Sequence, residues 1–183
     1  SSSERRSRIG TLSNARREAA IDSLTGLHNR RAFDRRLNEL IAQVDGLDDG
    51  FCMLLLDIDH FKRINDSHGH MVGDKVLSEF SKQISKLTRR SDFLARYGGE
   101  EFAILLPGTR ITNAFTVAEN IRGTLEMVRL RRSGSKESLG AVTVSVGVTC
   151  YRVGEPIEEF IGRCDKALYR AKRLGRNRTV LAD

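Results

Sequence analysis

Apolar residues fall into two rhythms along this chain. Phe33, Leu37, Leu40, Ile41 and Val44 recur at helical spacing, which predicts an amphipathic helix over residues 30–44. Val76, Leu77, Phe80, Ile84 and Leu87 predict a second over 75–87. Ala114, Val117, Ala118, Ile121, Leu125 and Val128 predict a third over 112–129. A fourth is expected over 158–173, and a short helical turn over 61–66. The other rhythm is nearly continuous. Residues 51–58 are apolar almost throughout and end in Asp57-Ile58-Asp59, which reads as a central strand buried on both faces. Shorter strands are expected at 93–95 and 102–106, over the β-branched stretch 141–151, and at 179–181. Asp22-Ser23-Leu24-Thr25-Gly26-Leu27 breaks the first polar stretch, 46–50 is a loop, Gly69 and Gly73 punctuate another, and 131–139 is a charged loop. Residues 1–21 are polar, arginine-rich and free of proline. They read as the end of a longer N-terminal signalling or linker helix, with one domain over 22–183.

This order of elements predicts an α/β (α+β) sandwich with a mixed central sheet, built on a palm-like βαββαβ core flanked by helices. In open α/β sheets ligands bind beyond the carboxyl ends of strands, which is where Asp57 falls. The strands at 93–95 and 102–106 bracket Arg96-Tyr97-Gly98-Gly99-Glu100-Glu101, a hairpin with two glycines and two carboxylates at its tip. Glycines let backbone approach a ligand, and adjacent carboxylates suit a cation. A solvated Gly-Gly turn with two surface glutamates is the plainer alternative. Asp57 and Glu100 are expected on neighbouring strands, where two carboxylates suit Mg²⁺. Asn65 and Asp74 read either as guanine-edge partners or as ordinary turn and cap residues. Lys172 and Arg176 read either as phosphate contacts or as cations at a helix C-terminus.

Composition narrows the class. The chain has 183 residues, 39% hydrophobic and 30% charged, as in an ordinary single globular domain, and has no run long enough to span a membrane. Its net charge is +7, and a basic protein attracts polyanions. The arginines and lysines are dispersed, however, and aromatic residues make up 6% with no tryptophan, thin material for stacking bases. Nucleic acid and membrane contact by this segment are therefore not expected. The three cysteines, Cys52, Cys150 and Cys164, have no metal-binding spacing. They suggest a reducing cytoplasm and argue against a disulfide scaffold or a zinc site.

Several motifs occur in order: Asp22-x-Leu24-Thr25-Gly26-Leu27-x-Asn29-Arg30, Asp57-x-Asp59-x-Phe61-Lys62-x-x-Asn65-Asp66, Gly69-x-x-x-Gly73-Asp74, the hairpin, and Ala167-Leu168-Tyr169-x-Ala171-Lys172. Together they resemble the GGDEF family of diguanylate cyclases from about residue 20 to the end. The resemblance implies condensation of two GTP into cyclic di-GMP with release of two pyrophosphates, on a homodimer. It implies Mg²⁺, with Mn²⁺ as a substitute, held by Asp57, the Ile58 carbonyl and Glu100. Glu100 and Glu101 are the implied catalytic acids, and Asn65 and Asp74 the implied guanine partners. Lys62, Lys172 and Arg176 are implied phosphate contacts, with Gly98 and Gly99 admitting the nucleotide. Arg89 and Asp92, in Arg89-Arg90-Ser91-Asp92, match the family's inhibitory product site. A cytoplasmic domain is implied, with or without a membrane anchor elsewhere in the parent protein. The rival functions are a catalytically silent GTP or cyclic di-GMP receptor and, from charge alone, a nucleic-acid-binding module.

Overall fold

The computed structural model describes residues 19–131 and 138–183. Strand β1 (Phe51–Ile58) is buried at all eight positions. It lies at the centre of a five-stranded sheet ordered β2-β3-β1-β4-β5. β1 is antiparallel to both β3 (Glu101–Pro107) and β4 (Val144–Cys150). β2 (Phe93–Arg96) pairs antiparallel with β3, and β5 (Thr179–Leu181) pairs parallel with β4. The expected mixed sheet and α+β class are found.

The continuous apolar run hides an alternation. Leu54, Leu56 and Ile58 belong to one core cluster with Val76, Phe80, Ile84, Ala118, Ile121 and Leu125. Those partners come from α3 (His70–Leu87) and α4 (Ile111–Met127). Phe51, Met53 and Leu55 belong to the other, with Phe33, Leu37, Leu40, Phe160, Cys164 and Leu168. These come from α1 (Arg30–Ala42) and α5 (Ile157–Arg173). Successive side chains point to opposite faces of a strand, so helices on both sides require apolar residues at both parities. α5 lies so close to β4 that a Cβ on Gly147 would sit 2.5 Å from the Cys164 carbonyl oxygen and 2.6 Å from the Leu168 nitrogen.

Four expectations need adjustment. The turn at 61–66 is a full helix, α2 (Phe61–His68), and the break before α3 falls at Gly69, whose φ is 88°. Gly73 is therefore not in a loop: it is buried in the first turns of α3, where it lets that helix approach α2. α1 stops at Ala42, and Val44 lies in a short 3-10 turn, Val44–Gly46. Ala19 and Ala20 form a turn and Ile21 bridges to His28, so these three residues are not helical. The rest of the predicted N-terminal helix, and the loop positions 132–137, lie outside the described residues.

The cysteine reading is corrected. Cys52 and Cys150 form a disulfide, and Cys164 is free and buried. The two bonded residues are 98 positions apart but face each other in the β1–β4 register. Spacing along the chain carries no record of such a cross-strand encounter. Burial pushes the Cys164 thiol far up, leaving it un-ionised. Among the described residues no helix is long and apolar enough to cross a membrane.

Candidate active site

The hairpin folds its tip onto the end of the central strand. Asp57 and Glu101 are register partners across β1 and β3, and the Ile58 N–H donates to the Glu100 carbonyl at 3.2 Å. The tip is closed by the Tyr97 N–H donating to the Glu101 carbonyl at 2.8 Å. Neither Gly98 nor Gly99 has a positive φ. What glycine supplies is room: a Cβ on Gly99 would meet nothing, so this backbone stays open to an approaching molecule. Arg96 steadies the tip from behind. Its guanidinium donates to the Gly99 carbonyl at 2.8 Å and to Asp22 Oδ1 at 3.2 Å. Asp22 also accepts from the Thr25 N–H and hydroxyl at 2.9 and 2.7 Å, which fixes the tight turn at the head of the domain.

A cavity of about 190 Å³ opens where these elements meet, lined by Asp57, Ile58, Lys62, Glu100, Lys172 and Arg176 among others. Lys172, in the last turn of α5, donates from Nζ to Asp57 Oδ2 at 2.5 Å. Arg176 lies in the turn beyond that helix. Burial pushes the Asp57 carboxyl up by more than the Lys172 ammonium pulls it down. Burial, then the neighbouring Asp57 charge, pushes Glu100 and Glu101 up as well. The cleft thus gathers hard oxygen donors of raised proton affinity beside three cationic side chains, Lys62, Lys172 and Arg176. Among the described residues no cluster of three or more His, Cys, Asp or Glu side chains could hold a metal alone. Two carboxylates with the Ile58 main chain between them nevertheless suit Mg²⁺, which fills its shell with waters and phosphate oxygens.

Where α2 and α3 meet, Asn65 Oδ1 is buried without a hydrogen-bond partner. It rests against Gly73, where an added Cβ would collide with that oxygen. Asp74 follows on α3 with its side chain exposed, and Lys62 is exposed on α2. A buried amide oxygen left unpaired costs free energy that an incoming N–H donor recovers. Arg89 and Asp92 stand apart, beyond the end of α3, and neither lines the cleft. They are bonded to each other: Arg89 donates from its guanidinium to Asp92 Oδ1 at 2.9 Å and from its backbone N–H to Asp92 Oδ2 at 2.7 Å. The same guanidinium donates to the Pro107 carbonyl and the Thr109 hydroxyl.

The structure therefore brings Asp57, Ile58, Glu100, Lys62, Lys172 and Arg176 to one cleft. The sequence reading assigned no role to Asp59, Asn177, Asp22 or Arg96, which hold that cleft's walls. The signal available for Asp59 was its place two residues after Asp57.

A family model described as diguanylate cyclase, GGDEF domain, matches residues 19–178. The chain belongs to the GGDEF family. This GGDEF domain is 40% identical to the diguanylate cyclase VdcA of Vibrio cholerae over 169 residues, covering 92% of the chain and 49% of that protein. It is 41% identical to the diguanylate cyclase DgcP of Pseudomonas aeruginosa, covering 93% of the chain and 25% of that protein. It spans half or less of each of these relatives. Its fold matches the coiled coil and GGDEF domain of DgcB from Caulobacter crescentus, solved in complex with c-di-GMP, with a TM-score of 0.92 and 38% identity, covering 99% and 95% of the two chains.

Proposed function

We propose that this GGDEF domain condenses two GTP into cyclic di-GMP, releasing two pyrophosphates. The observation that carries the reading is the meeting of Asp57, Glu100, Lys172 and Arg176 in one cleft, with Lys172 and Asp57 separated by 115 positions in sequence. The hairpin retains both glycines and both acids, which favours an enzyme over a silent receptor. Asn65 and Asp74 take the amide edge of guanine, and Gly73 keeps room for Asn65 to do so. Lys62, Lys172 and Arg176 hold the terminal phosphates, Lys172 passing from Asp57 to the nucleotide as substrate arrives. Asp57, the Ile58 carbonyl and Glu100 hold Mg²⁺, or Mn²⁺ in its place; when bound, the cation neutralises phosphate charge and orients the reacting groups.

Glu100 accepts the 3′-hydroxyl proton as that oxygen attacks the α-phosphorus of the second GTP. The bond from phosphorus to the departing pyrophosphate oxygen breaks in the same displacement. Glu101, next on β3, supports the negative field of the tip. One cleft holds one GTP, so two domains face each other about a two-fold axis, each supplying a hydroxyl to the other's phosphate. Arg89 and Asp92 take the guanine of the product and restrain turnover, Arg89 exchanging its present partners for the O6 and N7 edge.

The test is incubation with GTP and Mg²⁺, with the product identified by mass spectrometry and the rate followed across a dilution series. Cyclic di-GMP should form, with specific activity rising with enzyme concentration. Glu100→Ala should abolish it while leaving the circular dichroism spectrum unchanged. Undiminished turnover in that variant would overturn the assignment.

A further inference from the structure

Asp59 ends the central strand two residues beyond Asp57 and is only 6% exposed. A carboxylate buried this deeply needs donors, and both of its oxygens have them. Oδ1 accepts from the Ser145 hydroxyl at 2.6 Å. Oδ2 accepts from the Thr143 hydroxyl at 2.7 Å and from the backbone N–H of Asn177 at 3.0 Å. Thr143 and Ser145 border and begin β4, so two of the three donors come from the neighbouring strand. The third comes from the turn after α5, 118 positions away.

That turn has an unusual backbone. Arg176 and Asn177 lie at φ of 64° and 43°, two successive non-glycine residues in the left-handed region. Such a conformation persists only where its surroundings hold it. Here Arg176 donates its backbone N–H to the Ala171 carbonyl at 2.9 Å, and Val146 donates to the Arg178 carbonyl at 2.9 Å. The Asn177 side chain accepts from Arg122 at 2.9 Å and donates to Glu126 at 3.1 Å, both on α4. Among the described residues no other acidic side chain accepts from a backbone amide of this turn. The residue this turn presents to the cleft is Arg176.

We propose that Asp59 is a positioning residue: its carboxylate clamps the Asn177 amide and thereby fixes Arg176 at the phosphate end of the cleft. The inference rests on the reading of Arg176 as a phosphate contact. It also separates the two acids at the end of β1. Both line the cavity, but Asp57 meets the Lys172 ammonium there, whereas both Asp59 oxygens are taken by Ser145, Thr143 and Asn177.

Calorimetry of the whole chain distinguishes these roles, using a non-hydrolysable GTP analogue and GMP as probes, each with Mg²⁺ and with chelator. Arg176→Ala should weaken the analogue by about tenfold or more, the range of a lost charge-assisted contact, and leave GMP nearly unchanged. Asp59→Asn should reproduce that pattern, with and without Mg²⁺. Adding it to Arg176→Ala should cost nothing further. If Asp59→Asn proves unfolded by circular dichroism, Thr143→Val keeps the carboxylate but removes the hydroxyl that holds the same Oδ2, which loosens the clamp and should lower analogue affinity in the same pattern. Loss of analogue affinity in Arg176→Ala but not in Asp59→Asn or, where that variant is unfolded, not in Thr143→Val would overturn the inference alone. So would a loss confined to Mg²⁺, which would make Asp59 act through the cation, or a fully additive loss in the double variant. Unchanged analogue affinity in Arg176→Ala would instead overturn the phosphate reading beneath it.

Discussion

The buried, unpartnered Oδ1 of Asn65 and the bare backbone of Gly73 beside it form one device. Gly73→Ala puts a methyl where that oxygen lies. The side chain must swing away, and affinity for GTP should fall by about tenfold or more, the scale of one or two lost hydrogen bonds in a buried setting. The melting temperature should change little, because alanine is the better helix former. Equal affinity of variant and parent for a fluorescent GTP analogue would refute this. Spacing could not reveal the device: by themselves Asn65 and Asp74 read more readily as turn or cap residues, and only the resemblance overturned that reading. The acids behave differently. Burial, reinforced by Asp57, raises the proton affinity of Glu101 in the folded state. The native protein therefore holds that proton more tightly than the unfolded chain, and the charged form weakens the fold once the pH exceeds the raised value. Glu101→Gln should melt higher than the parent at pH 8. The gap should close as the pH falls through the raised value to below the ordinary glutamate range. A gap that widens on acidification would show the opposite sign.

Elements announced themselves according to how their burial is shared. β1 was legible to the residue because both faces are covered, leaving an unbroken apolar run with acids at its end. α3 was misread at its start because glycine ordinarily marks a break, and Gly73 is used instead for close approach to α2. The same use recurs at Gly147, where α5 presses its backbone onto β4. Gly147→Ala forces carbonyl and amide groups of α5 outward and should cost about 1–3 kcal/mol, the usual penalty of overpacking a tight core. Urea unfolding followed by circular dichroism measures it, and an unchanged midpoint would show that α5 can yield without loss. The facing of Cys52 and Cys150 was illegible for a related reason. Strand register is decided by which faces are buried together, a property of the assembled sheet rather than of any local run.

At the level of the whole molecule, the order of elements was enough to give the mixed sheet and its class, and the motifs gave the cleft. What remained hidden was what the cleft's walls hang on, because Asp22, Arg96, Asp59 and Asn177 act through partners far along the chain. The bonds from Lys172 to Asp57 and from Asn177 to Asp59 span 115 and 118 positions. Each closes a loop that embraces most of the fold, and closing long loops is entropically opposed until intervening structure has shortened them. The closing of the cleft is therefore expected last as the chain folds. After dilution from urea, far-ultraviolet circular dichroism should recover first and binding of a fluorescent GTP analogue later, with two resolved time constants. Coincident recovery would mean that the sheet and the turn at Arg176 form in one step. On a ribosome the same ordering leaves the cleft incomplete until Lys172 and Arg176 have emerged, because both are made after the acids they join.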